Sequence, residues 1–149
     1  MSLTDKINID IKEAMKAREK QKLEGLRAIK NAILLLKTEK GASEDISEEV
    51  EIKLLQKLVK QRKDSAQIYS EQGRNDLEEK ELAEANIIQK YLPEPMSNEE
   101  LEIVIKSIIT EIGAKSMADM GKVMSMANSK LLGKADGKSI ANKVKELLQ

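Results

Sequence analysis

The chain has two prolines, Pro93 and Pro95, and they stand within three residues of each other. Neither the 92 residues before them nor the 54 after them contain another. Both stretches therefore lack the residue that most effectively breaks a helix interior. Each is rich in good helix formers, and no useful length alternates with the two-residue period of a strand. The expected fold is all-α, with an N-terminal helical bundle over residues 1–92 and a smaller helical domain over residues 93–149, joined by a Pro-X-Pro hinge.

Helix ends are marked by small residues. Gly41, Gly73, Gly113 and Gly133 read as stops. Asn75 with Glu78, and Ser97 with Glu100, place a capping side chain three residues before an acid, the reciprocal arrangement that satisfies two orphan amides of a first turn. At 100° per residue, Ile52, Leu55, Leu58, Val59, Ala66 and Tyr69 share one side of a helix from Ser47 to Gln72, with Lys53, Lys57 and Lys60 opposite. An earlier helix carries Leu23, Leu26, Ile29, Ile33 and Leu36, and Leu34 and Leu35 extend its apolar surface, so it is expected at the centre of the bundle. The other helices are expected over Leu3 to Ala17, Asn75 to Tyr91, Ser97 to Ile112, Met117 to Leu132 and Lys138 to Leu148.

Composition decides whether such a chain folds and what chemistry it can do. Charged residues make up 35% of the 149, which raises disorder as a rival. Leu, Ile and Val together are 38 residues, a quarter of the chain and above the roughly 20% below which chains stay unfolded. Cysteine, histidine, tryptophan and phenylalanine are absent. This removes Cys and His nucleophiles, Ser-His-Asp triads and the ligands zinc normally takes, so no metal site, cofactor or catalytic residue is expected. Tyr69 and Tyr91 are too few for the aromatic platforms on which RNA-recognition sheets stack bases. The longest apolar run, Ala32 to Leu36, is too short to cross a bilayer, so no membrane is expected. The N-terminus lacks a signal-peptide core, which places the chain in the cytoplasm.

The formal net charge of zero conceals a division. From Pro93 to Glu111 five glutamates oppose Lys106, for a net of −4. From Ile112 to the end seven lysines oppose Asp119, Asp136 and Glu146, for a net of +4. A basic tip on a neutral protein is the footprint of a phosphate-contacting surface, although lysine-rich helix faces are commonly just solvated. Around residue 133, Gly133 can stop one helix in the left-handed conformation, Asp136 can cap the next, and Gly137 completes a turn holding Lys134 and Lys138. On the last helix Ile140, Val144, Leu147 and Leu148 form the buried stripe and leave Lys138, Asn142 and Lys145 outward. The RNA-contact candidates are Lys122, Lys130, Lys134, Lys138, Lys143 and Lys145. There is no G-x-x-x-x-G-K-[ST] pattern, so a nucleotide-binding P-loop is excluded. Met117, Met120 and Met124, continued by Ala127 and Leu131, read as core packing or, alternatively, a partner groove. Arg62 projects on the apolar side, where it can pair with Asp76 or Glu78.

Lys60-Gln61-Arg62-Lys63-Asp64-Ser65-Ala66, Tyr69, Gly73-Arg74-Asn75-Asp76-Leu77, Lys80-Glu81 and Tyr91-Leu92-Pro93 resemble the central signature of the YqeY proteins. Its candidate signature positions here are Arg62, Asp64, Tyr69, Gly73, Arg74 and Asp76. Met120-Gly121-Lys122-Val123-Met124, Gly133-Lys134-Ala135-Asp136-Gly137 and Val144-Lys145 are similar to the tail domain of GatB, the B subunit of the glutamine-dependent Asp/Glu-tRNA amidotransferase. The resemblance implies a helical bundle followed by a three-helix tail that holds tRNA. It also implies the family label of carbon-nitrogen ligase activity with glutamine as amido-N-donor. The chain has no counterpart of the catalytic cradle or the amidase subunit, so no independent activity is expected. The functions in view are an accessory protein binding tRNA or another structured RNA, a component of a tRNA-dependent amidotransferase, and a helical adaptor for another protein.

Overall fold

The computed structural model describes residues 1–40 and 46–149, and Gly41 lies outside them. Among the described residues there are seven α-helices, a single 3-10 turn and no strand. The chain divides into two compact units, Met1–Leu92 and Pro93–Gln149.

The N-terminal unit comprises α1 (Leu3–Ala17), α2 (Lys20–Lys40), α3 (Glu48–Glu71) and α4 (Asn75–Gln89). α1 opens on a capping box in which Ser2 Oγ accepts from the Asp5 amide and Asp5 accepts from the Ser2 amide. α3 is capped by Ser47. The core is aliphatic, with Ile7, Leu26, Ile29, Leu55 and Ile88 almost wholly excluded from water. Leu58, Val59 and Ala66 are also buried, as the periodicity of α3 requires, while Lys53, Lys57 and Lys60 are exposed. α2 contacts all three other helices of the unit, but it is not enclosed. Leu34 and Leu35 are 51% and 63% exposed, because the neighbours cover one stripe of α2 only. Gly25 permits the approach of α2 to α4, since a Cβ there would lie 3.2 Å from Ile87 side-chain atoms.

α3 and α4 form an antiparallel hairpin whose turn is set by Gly73, in the left-handed region at φ 71°. The Arg74 amide donates to the Tyr69 carbonyl at 2.8 Å and closes the turn. Arg74, not Asn75, occupies the cap position of α4 and makes no side-chain cap bond; Asn75 is already helical. The tight turn starts the helix one residue earlier than the Asn75–Glu78 pattern implies.

In the C-terminal unit Ser97 caps α5 (Asn98–Ile112) by accepting from the Glu100 amide at 3.2 Å, and Gly113 ends it at φ 68°. A 3-10 turn over Met117–Asp119 precedes α6 (Met120–Lys130), and α7 (Gly137–Leu148) completes the unit. The expected helix start at Met117 is therefore displaced to Met120. Ser116 accepts from the Ala118 amide and Asp119 from the Lys115 amide, and these local bonds hold the tighter turn. Ile105, Ile108, Val123, Ala127, Ile140 and Val144 form the core. Met120 and Met124 pack on its edge, whereas Met117 is 39% exposed.

Candidate nucleic-acid interface

The turn between α6 and α7 is built by backbone bonds. The amides of Lys134 and Ala135 both donate to the Leu131 carbonyl, at 2.9 and 3.3 Å, and Gly133, buried at φ 80°, lets the chain reverse beneath them. The Lys134 carbonyl accepts from the Met96 amide at 2.9 Å, which stitches the entry to α5 onto this turn. Asp136 caps α7 by accepting from the Ser139 amide at 2.9 Å. Gly137 is the first residue of α7, so it opens the helix instead of belonging to the turn. The Lys134 side chain is exposed on a backbone fixed from two directions.

Along α7, Ile140, Val144 and Leu148 are buried, and Lys138, Asn142 and Lys145 lie exposed at the i, i+4, i+7 spacing of one face. Lys122 is exposed on α6. Among the described residues Lys122, Lys134, Lys138 and Lys145 meet no carboxylate within ion-pair distance. The other two candidates differ. Lys143 lies against Glu146 at 3.2 Å with its side chain only 12% exposed, because its stem runs beside the buried stripe of α7. Lys130 reaches across to Glu111 of α5 at 3.2 Å, and both members of this pair remain half exposed.

A feature that charge counting missed lies on α6. Gly121, Lys122, Ser125, Met126, Ser129 and Lys130, with Ile112 at the end of α5, line an open groove of about 660 Å³. The sequence carries its signal in two parallel rows at four-residue spacing, Gly121-Ser125-Ser129 and Lys122-Met126-Lys130.

Of the signature positions of the N-terminal unit, Gly73, Arg74 and Asp76 lie at the α3–α4 turn and Arg62 ties the two helices together. Arg62 donates from Nε to Glu84 at 3.0 Å and lies 3.9 Å from Glu81, with side-chain exposures of 22%, 13% and 23%. Its partners are thus not Asp76 or Glu78. In an antiparallel hairpin, residues equally far from the turn face each other, and Arg62 and Glu84 satisfy that count. Asp76 is taken by Arg74, whose guanidinium bonds both of its oxygens at 3.3 Å. That pairing lowers the Asp76 carboxyl below its ordinary range and raises Arg74. Asp64 is exposed and Tyr69 half-buried. The Tyr91 hydroxyl donates to Asp10 of α1, and burial, reinforced by the adjacent carboxylate, pushes that phenol well above its usual range. Among the described residues no cluster of acids could hold a metal ion, and no helix is long and apolar enough to cross a membrane.

A family model described as Yqey-like protein matches residues 4–148. Among curated proteins, the chain is similar to altered inheritance of mitochondria protein 41 of three fungi. The Saccharomyces cerevisiae protein is 34% identical over 137 residues, covering 88% of this chain and 69% of the relative. The Clavispora lusitaniae protein is 32% identical over 133 residues, covering 87% and 76%. The Pyrenophora tritici-repentis protein is 28% identical over 148 residues, covering 96% and 79%. All three are named as mitochondrial proteins, which overturns the cytoplasmic placement. That placement rested on the lack of a secretory core, and this says nothing of a mitochondrial address, which is amphipathic and arginine-rich.

Proposed function

The chain belongs to the Yqey-like protein family, and we propose that it works there as an accessory RNA-binding protein whose expected ligand is tRNA. The observation that supports this is the set Lys122, Lys134, Lys138 and Lys145, exposed on α6, α7 and the hydrogen-bonded turn between them without carboxylate partners among the described residues. A lysine held to a carboxylate gains less from a phosphate than one that is free, so these four can displace condensed counterions most effectively. The near absence of aromatics fits recognition of backbone and shape better than base stacking. The similarity of the C-terminal motifs to the GatB tail favours tRNA among structured RNAs. It also supports a narrower reading, in which the protein presents tRNA to an amidotransferase that performs the glutamine-dependent step elsewhere.

The test is titration of labelled tRNA at several salt concentrations. If each of the four lysines neutralises one phosphate, affinity falls about 100-fold between 50 and 200 mM salt. Charge reversal with Lys134→Glu and Lys138→Glu weakens binding and flattens that dependence. Absence of salt-dependent tRNA affinity at low ionic strength rejects the proposal. A protein partner recovered without RNA and stable in high salt would establish the adaptor reading in its place.

A further inference from the structure

The groove on α6 combines features that ordinary packing does not explain. Gly121 is exposed within the first turn of α6, and a Cβ there would meet nothing within 4 Å. Glycine in a helix costs about 1 kcal/mol relative to alanine, and here no neighbour requires it, in contrast to Gly25 beneath Ile87. What glycine provides is a low wall. One and two turns further on, the same row carries Ser125 and Ser129. Thr38 and Thr110 turn their hydroxyls back onto the carbonyls four residues earlier, at 2.9 and 3.0 Å. Ser125 and Ser129 make no such bond among the described residues, so their hydroxyls remain available to the groove. Lys122 and Lys130 stand in the adjacent row about 12 Å apart along the axis, with the apolar Met126 between them. Glu111, paired with Lys130, is half exposed, and such surface pairs exchange readily for another anion.

We infer that this groove seats the ribose edge of an RNA backbone, with Ser125 and Ser129 bonding 2′-hydroxyls while Lys122 and Lys130 meet the flanking phosphates. The inference rests on the RNA-binding reading and deepens it by assigning the residues that tell RNA from DNA. Charge complementarity selects the occupant, since Lys122 stands without a carboxylate partner at one end of the row and Lys130, once exchanged from Glu111, stands at the other. Neutral hydroxyls between those cations suit a sugar that itself donates and accepts. The wide, shallow minor groove of A-form RNA displays 2′-hydroxyls with phosphates on either side, and DNA lacks those hydroxyls.

The experiment compares a fluorescently labelled RNA hairpin with the DNA hairpin of the same sequence, titrated with the full chain at several salt concentrations. The wild type is expected to bind RNA about 10-fold tighter than DNA, the value of one good hydrogen bond or two weak ones. Ser125→Ala combined with Ser129→Ala brings that ratio close to one and leaves the salt slope unchanged. Alanine is the better helix former, so the fold is retained, which a circular dichroism melt verifies. Lys122→Gln reduces the salt slope for both nucleic acids by about one. Equal wild-type affinity for RNA and DNA, or an undiminished preference in the double alanine variant, overturns the inference while the RNA-binding reading stands. No salt-dependent binding to either nucleic acid rejects that reading and this inference together.

Discussion

In the N-terminal unit charged and polar groups connect helices. Arg62 of α3 holds Glu84 and Glu81 of α4, Lys80 of α4 reaches Glu24 of α2, and Tyr91 holds Asp10 of α1. In the C-terminal unit the Lys130–Glu111 pair joins two helices, while Lys106–Glu102 and Lys143–Glu146 each lie within a single helix. Both units are closed by aliphatic cores, so the difference does not arise from how they exclude water. It arises from where cations are retained by the protein and where they are left to solvent. A count of basic residues does not separate these cases, because a largely covered Arg62 and an exposed Lys138 contribute equally to net charge.

The strongest way to break the comparison is through the cores. Ile88→Ala and Ile105→Ala each remove a fully buried side chain and should cost about 2–5 kcal/mol. If the units are stabilised separately, hydrogen exchange will show Ile88→Ala weakening protection within residues 1–92 and Ile105→Ala within residues 93–149. Loss of protection in both units from either substitution would mean that the cores are coupled.

Next come the ties themselves. Arg62→Met leaves two largely covered glutamates facing each other and is expected to lower the stability of the N-terminal unit by about 1.5–3 kcal/mol in urea titration. Lys130→Met removes a half-exposed pair and should have no measurable effect. Equal costs would erase the distinction between the units. Tyr91→Phe should cost about 1 kcal/mol at neutral pH. Because the native phenol titrates above its unfolded value of 10.0, the contribution is fully present below about pH 10 and lost as pH rises beyond it. The variant should accordingly lack the extra alkaline loss of stability seen in the wild type.

The smallest effect concerns Glu51, whose carboxyl is raised by burial and secondarily by Glu48. A carboxyl with a raised native pKa costs stability when ionised and recovers it as pH falls through that pKa. Glu51→Gln is therefore expected to raise the melting midpoint slightly at pH 7, with the gain shrinking in acid.

Helix positions were the most legible feature, because their determinants are local. Leu3 to Ala17 is found at the expected ends, Ser97 and Asp136 cap and Gly113 stops as their types favour, whereas α6 ends at Lys130, short of the expected Leu132, and Gly133 serves the turn beyond it. Features that depend on a neighbouring helix were not legible. The partner of Arg62 follows from the hairpin register, the exposure of Leu34 and Leu35 from which face of α2 is covered, and the withdrawal of Lys143 from the path of its stem. The Ser2–Asp5 capping box departs from the usual pattern, since the shorter acid stands where Glu or Gln is expected. The groove on α6 was half legible: its spacing is in the sequence, but only the structure shows that nothing fills the space over Gly121.

Both tyrosines precede Pro93, and the chain contains neither tryptophan nor phenylalanine. The C-terminal unit is consequently dark in the near ultraviolet. Intrinsic fluorescence and near-ultraviolet dichroism register Tyr69 and Tyr91 alone, so a melt followed by these signals describes only the N-terminal unit. The same silence is useful in a binding experiment. One tryptophan introduced anywhere after Pro95 would be the sole indole in the protein, and its emission would report on the lysine-bearing unit without interference.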